Sequence, residues 1–320
     1  MAGLRYRFFQ PTQAAQLRRL ELTVRGVVEG VFAGLHKSPH KGFSVEFAEH
    51  REYVPGDEIK HLDWTVLART DRYFVKQYEQ ETNLRATICL DASASMNFSG
   101  GMAQPAKKRS RLAKKEPAGP YAAGAVTKYE YACVLACSLA YMLANQQDMV
   151  GLTVFDTDIR LEIPQGNGAS HLDQIFKKLE ALTPGKTTNV ADTLHTLANK
   201  VPRRGLVILI SDLLDDPDKI LLALQHLRHA RHQMIVIQVM DRAELDLPHT
   251  RPVTFEDMED QSRLQIDPKV IREDYRREVD AFLESIKRRC GQFHIDHLLA
   301  FTDVPWDAQV RELLRRTSGR

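Results

Sequence analysis

From residue 84 onward, short runs of apolar residues alternate with longer amphipathic stretches. The apolar runs have the length of buried strands, and we predict strands over residues 84–91, 151–156, 159–164, 205–212, 233–240 and 293–300. The stretches between them have the period of helices, and we predict helices over residues 129–147, 169–182, 189–200, 217–231, 268–289 and 305–316. Buried strands that alternate with helices favour an α/β fold with a mostly parallel, doubly wound sheet and helices on both faces.

The N-terminal quarter of the chain has a different pattern. Apolar residues at helical spacing predict a helix over residues 11–35, and alternation predicts a strand over residues 72–78. We expect Trp64 to be a packing anchor between this segment and the sheet. We therefore divide the chain into an N-terminal α+β segment packed on the core, a central domain, and a C-terminal part that completes the sheet, over residues 1–81, 82–240 and 241–320.

The composition is that of a globular protein, with 43% hydrophobic and 27% charged residues. The longest nearly unbroken apolar stretch, from Tyr131 to Ala144, is shorter than the roughly 20 residues of a membrane span. The N-terminus lacks the apolar core of a signal peptide. Four cysteines fit a reducing compartment, and we expect a cytoplasmic protein.

One basic segment sets the sign of the net charge, which is +2. Residues 99–128 hold seven Lys/Arg and one acid, and they leave 37 basic and 41 acidic residues in the remainder. Their Pro, Gly and Lys content predicts a disordered basic insertion. The body of the protein is not a nucleic-acid-binding surface by charge, and the insertion is expected at most to contact an acidic partner or nucleic acid weakly.

Oxygen-bearing side chains follow the ends of two predicted strands. Asp91 ends one strand and precedes Ser93 and Ser95, and Asp212 ends another. A third hydroxyl lies in the loop TPGKTTNV, at Thr187 or Thr188. Because ligands of such sheets bind outside the carboxyl ends of the strands, we expect these side chains to lie around one crevice.

Two carboxylates and three hydroxyls form an all-oxygen set that suits a hard cation, Mg²⁺ or alternatively Mn²⁺ or Ca²⁺, rather than Zn²⁺. Few of these ligands are charged, so the cation keeps positive character and an open position for an outside carboxylate. The alternative is that Asp91, Ser93 and Ser95 only cap a helix N-terminus.

The sequence Asp91-x-Ser93-x-Ser95, with a downstream Thr and the late Asp212, resembles the metal-ion-dependent adhesion site (MIDAS) of von Willebrand factor A domains. The resemblance implies that the serines and the threonine contact the metal and that the aspartates act largely through water. The family has Gly-Thr-Asp/Asn in the loop, so Thr188 before Asn189 is the better match, although Thr187 stands in place of the glycine.

Most of the chain resembles a bacterial family of von Willebrand A-like proteins catalogued as domain of unknown function 58. The resemblance rests on residues 50–81, which contain Tyr-x-Pro-Gly-Asp, Asp-Trp and Val-Lys elements, and on the later DASASM and LISDLLDD sequences. It implies a von Willebrand A or Rossmann-like sheet and a chaperone-like adaptor that works with a MoxR-type AAA+ ATPase or its client. The insertion over residues 99–128 departs from the usual short connection.

An enzymatic alternative is a metal-assisted or phosphoaspartyl hydrolase that uses Asp156 and Asp158 or the Asp91 site. The sequence after residue 154 resembles the Asp-x-Asp motif of haloacid dehalogenase-type phosphatases, in which the first Asp is the nucleophile and the second the general acid. A plain hairpin turn also explains it. Since no complete catalytic constellation is present, we assign no catalytic residue and expect a non-enzymatic, divalent-metal-dependent protein-binding module.

Overall fold

The computed structural model describes residues 6–9, 13, 46–54, 62–79, 84–100, 126–185, 190–201, 205–229, 232–248, 251–256 and 262–318. The chain forms two compact units. The larger unit comprises residues 1–31 and 84–320, and the smaller unit comprises residues 32–83. The predicted helix over residues 11–35 lies outside the described residues except at residue 13. The predicted division into three parts stays a prediction.

The smaller unit contains an antiparallel pair of strands, β1 (Glu46–Glu52) and β2 (Phe74–Glu79), and the short helix α1 (Trp64–Thr70). Strand β2 confirms the strand predicted over residues 72–78. Asp63 begins α1 because its carboxylate accepts hydrogen bonds from the backbone N–H groups of the next turn. The Trp64 side chain is 61% exposed, and its expected role as an anchor on the sheet stays a prediction.

The larger unit contains the elements that the alternating pattern predicts. Its strands are β3 (Arg85–Asp91), β4 (Met149–Phe155), β5 (Ile159–Gly166), β6 (Leu206–Ser211), β7 (Gln233–Met240), β8 (Val253–Glu256), β9 (Arg263–Ile266) and β10 (Asp296–Phe301). Its helices are α2 (Lys128–Asn145), α3 (Ala169–Ala181), α4 (Val190–Lys200), α5 (Pro217–His229), α6 (Arg242–Asp246), α7 (Pro268–Gln292) and α8 (Trp306–Ser318).

Six of these strands form the central sheet, in the order β10-β7-β6-β3-β4-β5. All neighbouring strands are parallel except β5, which returns antiparallel to β4. The mostly parallel α/β sheet flanked by helices is therefore confirmed. The antiparallel ribbon of β8 and β9 was not predicted.

The strand order places a switch point at the centre of the sheet. From β3 the chain adds β4 and β5 on one side and then crosses to β6 on the other side of β3. The connections that leave the carboxyl ends of β3 and β6 therefore turn in opposite directions. They leave a crevice at the position where α/β sheets bind ligands.

Helix α2 lies against this crevice. It is buried around almost its whole surface, as its apolar sequence predicts. Thr127 and Glu130 form a reciprocal capping box that starts the helix at Lys128. The backbone N–H of Lys128 donates to the carbonyl of Phe98 at 3.0 Å, so the chain comes back to the residue after which the insertion begins.

All four cysteine side chains, at positions 89, 133, 137 and 290, are buried and free of disulfide bonds. No helix in the described ranges is long and apolar enough to cross a membrane.

Asp148, just before β4, is expected to make the stability of the folded protein depend on pH. Its Oδ1 accepts the Leu84 N–H at 2.9 Å, whereas its buried Oδ2 has no hydrogen-bond partner among the described residues. Burial raises the pKa of this carboxyl to about 6, against the lowering effect of the Leu84 hydrogen bond. The folded state therefore holds the proton more tightly than the unfolded state, and stability from this group is lost as pH rises through about 6.

We expect Asp148→Asn to stabilise the protein more at pH 8 than at pH 5, with the difference in unfolding free energy growing by about 1 kcal/mol between them. The asparagine keeps the acceptor for Leu84 and removes the buried charge. Denaturant unfolding at the two pH values measures this effect, with the exposed Asp274→Asn as the control. A pH-independent difference between Asp148→Asn and wild type would contradict the assignment.

Candidate functional site

The predicted carboxylates meet at the crevice between β3 and β6. Asp91 is the last residue of β3, and Asp212 follows β6 directly. Both side chains are fully buried. Asp91 accepts the Ser93 N–H at 2.8 Å with Oδ1 and the Ser211 hydroxyl at 2.6 Å with Oδ2, so the ends of the two strands are held together by side chains.

The turn after β6 holds Asp212 in place. Leu213, buried in the core, has a left-handed backbone with φ of 57°, a conformation that non-glycine residues rarely adopt. Its N–H donates to the Ser211 hydroxyl at 3.0 Å, and the Leu214 N–H donates to Asp212 Oδ1 at 3.2 Å. This tight turn directs the Asp212 carboxylate into the crevice.

The two predicted serines lie next to each other. Ser93 is buried, Ser95 is half-buried, and their hydroxyl oxygens are 3.1 Å apart. Ser95 starts a short 3₁₀ turn that ends at Asn97, and no side chain caps this turn. The capping alternative therefore does not explain Asp91 and the serines, because α2 is capped by Thr127 instead.

The predicted threonine lies outside the described residues, since residues 186–189 are not among them. The loop that leads to it is placed beside the site, because the Gly185 N–H donates to the Ala92 carbonyl at 2.6 Å. A Cβ at Gly185 would overlap the carboxylate of Asp156, so a side chain there would require that carboxylate to move. The choice between Thr187 and Thr188 stays a prediction.

Lys128 is a site residue that sequence analysis missed. Its side chain is fully buried, and its Nζ donates to Asp212 Oδ2 at 2.8 Å and to Glu244 Oε1 at 2.5 Å. Placing Lys128 in a solvated basic insertion was therefore wrong. The apolar helix that begins at this residue was the available signal, because a lysine on a helix buried all round faces protein rather than water.

Glu244 reaches the crevice from helix α6. Asp241 begins this helix, and the two residues form a second capping box in which the Asp241 N–H donates to Glu244 Oε2 at 3.0 Å. The Tyr275 hydroxyl donates to the Glu244 carbonyl at 2.6 Å. Asp-x-x-Glu is a recognisable capping sequence. It does not predict that the second carboxylate oxygen of Glu244 contacts Lys128.

The crevice contains several buried ionisable side chains, and more of them are acidic than basic. Burial raises the pKa of Asp91 to about 7, and the charge of Asp212 adds to this, although hydrogen bonds from Ser211 and Ser93 oppose it. Burial also raises the pKa of Glu244, against the effect of Lys128. Burial lowers the pKa of Lys128, but Asp212 and Glu244 outweigh this and leave it above its usual value.

The donors around Asp91 suit a hard cation. The described residues contain no group of three or more His, Cys, Asp or Glu side chains that could hold a metal ion, so a cation site here would need hydroxyl ligands. The 3.1 Å between the Ser93 and Ser95 oxygens is close to the roughly 2.9 Å between neighbouring ligands of an octahedral Mg²⁺. Oxygen donors at this spacing therefore fit Mg²⁺ or Mn²⁺.

Asp156 and Asp158, the residues of the hydrolase alternative, form the turn between β4 and β5. The Asp156 N–H donates to the Asp158 carbonyl at 3.0 Å, and the Asp158 N–H donates to Asp156 Oδ1 at 3.3 Å. Arg160 Nε lies 3.5 Å from Asp156 Oδ2. These contacts are those of a tight hairpin turn.

Comparison with known families gives one match over most of the chain. The model of the family described as "Protein of unknown function DUF58" matches residues 49–115 and 112–283. An uncharacterized protein of Mycobacterium tuberculosis is 26% identical over 305 residues, which cover 94% of this chain and 88% of the relative. An uncharacterized protein of Mycobacterium bovis matches with the same identity and coverage.

Two solved structures from Bacteroides species are similar to parts of the chain. The conserved hypothetical protein BatB from Bacteroides thetaiotaomicron has 15% sequence identity and a TM-score of 0.43, over 74% of this chain and 100% of that chain. An aerotolerance-related membrane protein from Bacteroides fragilis has 17% identity and a TM-score of 0.42, over 74% and 99%. At these scores the two structures carry no argument about function.

Proposed function

Since this chain belongs to the DUF58 family of proteins of unknown function, its own site has to suggest what it does, and we propose that the crevice around Asp91 binds a divalent cation. Ser93 and Ser95 would contact the ion directly, with Thr188 as a third hydroxyl. Asp91 and Asp212 would act through water. The ion would be Mg²⁺, with Mn²⁺ or Ca²⁺ as alternatives.

The observation that carries the proposal is the pair of hydroxyls beside the carboxylate of Asp91, which is buried and repelled by the charge of Asp212. The Ser93 and Ser95 oxygens are 3.1 Å apart, and Ser93 donates its N–H to Asp91. Both oxygens of Asp91 already accept hydrogen bonds, which supports a role through water. A divalent cation here would relieve the repulsion between Asp91 and Asp212 that contributes to the raised pKa of Asp91.

The biochemical role we propose is that of a binding module rather than an enzyme. Ser93 and Ser95 are uncharged ligands, so the ion would keep an open coordination position that a carboxylate from another protein would fill. The resemblance to von Willebrand A domains and to MoxR-associated proteins supports a chaperone-like adaptor of a MoxR-type AAA+ ATPase or its client. We place this role in the cytoplasm.

We expect wild-type protein to bind Mn²⁺ and Asp91→Ala to lose this binding, because the variant removes the central carboxylate of the site. Isothermal titration calorimetry measures both. The matched control is Asp303→Ala, an exposed aspartate that follows β10 at the same edge of the sheet. Equal Mn²⁺ affinity of wild type and Asp91→Ala would overturn the proposed metal site.

A further inference from the structure

Lys128 is a buried cation fixed beside the proposed metal site. Its side chain has no exposed surface, and its ammonium contacts two carboxylates that come from different parts of the fold, Asp212 after β6 and Glu244 on α6. The ammonium also lies 5.8 Å from the centre of the Phe98 ring. A lysine held by two carboxylates in this way cannot move its charge away from the crevice.

The Lys128 ammonium contacts Asp212 and Glu244, and Asp212 in turn interacts with Asp91 through its charge. These three carboxylates and one ammonium form a set that carries a net charge of −2 when all are ionised. A divalent cation would make the set neutral, whereas without Lys128 the same cation would leave a buried negative charge.

Building on the proposed function, we infer that the positive charge of Lys128 sets the affinity of the crevice for divalent cations, because it offsets one of the negative charges that surround the ion. Its ammonium opposes the incoming cation and weakens binding. Glu244 acts in the opposite direction, because its carboxylate contributes negative charge and contacts the Lys128 ammonium.

The sign of each effect follows from Coulomb's law. A charge of one unit within about 10 Å of a divalent ion changes its affinity on the order of tenfold or more in a partly buried site. We therefore expect Lys128→Met to bind Mn²⁺ about tenfold more tightly, and Glu244→Gln about tenfold more weakly. The double variant, Lys128→Met with Glu244→Gln, restores the net charge and is expected to return within a few-fold of wild type.

The experiment is a Mn²⁺ titration of wild type and these three variants by calorimetry, with thermal unfolding of each variant recorded in parallel. Lys128→Arg, which keeps the charge, is expected to bind as wild type does. If Lys128→Met alone fails to fold, Glu244→Gln and the double variant still measure the effect. The matched control is Lys200 with Glu162, an exposed pair 3.7 Å apart, whose Met and Gln variants are expected to leave Mn²⁺ affinity unchanged.

The outcomes separate the inference from the proposed function. If wild type binds no Mn²⁺, or binds it independently of Asp91, the metal site itself fails and the inference fails with it. If Mn²⁺ binding depends on Asp91 but Glu244→Gln and the double variant bind as wild type does, the site stands and the inference is overturned. Weaker binding by Lys128→Met would also overturn it, because Lys128 would then act by holding Asp212 in place rather than by its charge.

Discussion

Lys128→Met is expected to lower the free energy of unfolding of the metal-free protein by about 3–5 kcal/mol. The methionine fills a similar volume but leaves the Asp212 carboxylate fully buried without its cation. Glu244 loses the same partner. Removing one member of a buried ion pair costs much more than the pair contributes as a whole, because the remaining charge keeps its desolvation penalty. Chemical denaturation in the presence of a chelator measures the loss.

Two further variants test this explanation. Lys128→Met with Asp212→Asn removes both charges of the closest pair and is expected to recover a large part of the lost stability. Lys177→Met removes an exposed lysine whose ammonium is 2.8 Å from the half-buried Asp173 on α3, and it is expected to cost less than about 1 kcal/mol. A loss in Lys128→Met no larger than that in Lys177→Met would show that the buried contacts contribute little.

The second large effect concerns the proposed partner. Ser93→Ala combined with Ser95→Ala is expected to weaken binding to a MoxR-type AAA+ ATPase, or to its client, by about 2–5 kcal/mol, which is roughly 30-fold or more in the dissociation constant. The reason is that the two hydroxyls hold the ion to which a partner carboxylate would bind. Affinity measured by biolayer interferometry with the purified ATPase tests this expectation.

Chelation provides the internal control for that experiment. Excess chelator is expected to weaken binding of wild type as much as the double serine variant does, and to have no further effect on the variant. Ser170→Ala with Thr196→Ala removes two exposed hydroxyls on α3 and α4 and is expected to bind as wild type does. Partner binding that persists in excess chelator would place the interface elsewhere on the protein.

The sheet and the meeting of Asp91 with Asp212 could be predicted because they depend on local pattern and on a general rule of topology. Apolar runs mark β3 and β6; an aspartate is the last residue of β3, and another follows β6. Adjacent parallel strands bring their carboxyl ends to one edge of the sheet. Successive side chains of a strand lie on opposite faces of the sheet, so the face on which a side chain at that edge lies can also be predicted. No information from distant parts of the chain is needed for these features.

Other features depend on partners far away in the sequence. Lys128 is buried because Asp212 and Glu244, 84 and 116 residues away, meet its ammonium, and no local pattern identifies such partners. The strands of the β8 and β9 ribbon are only four residues long and mostly exposed where their burial is described, so their apolar alternation is too short to predict a strand. Phe9 is buried against Tyr141 and Phe176, but a few aromatic residues near the N-terminus carry no periodic signal.

The hydrogen bond between the Lys128 N–H and the Phe98 carbonyl has a consequence for how this family can vary. Because this bond holds residues 98 and 128 together, the entropic cost of connecting them grows only logarithmically with the number of residues between them. Evolution can therefore lengthen, shorten or replace the stretch between these residues at small cost to the fold. The same pair of residues suits protein engineering, because a fluorescent reporter inserted between them would be attached at two positions that are already held together.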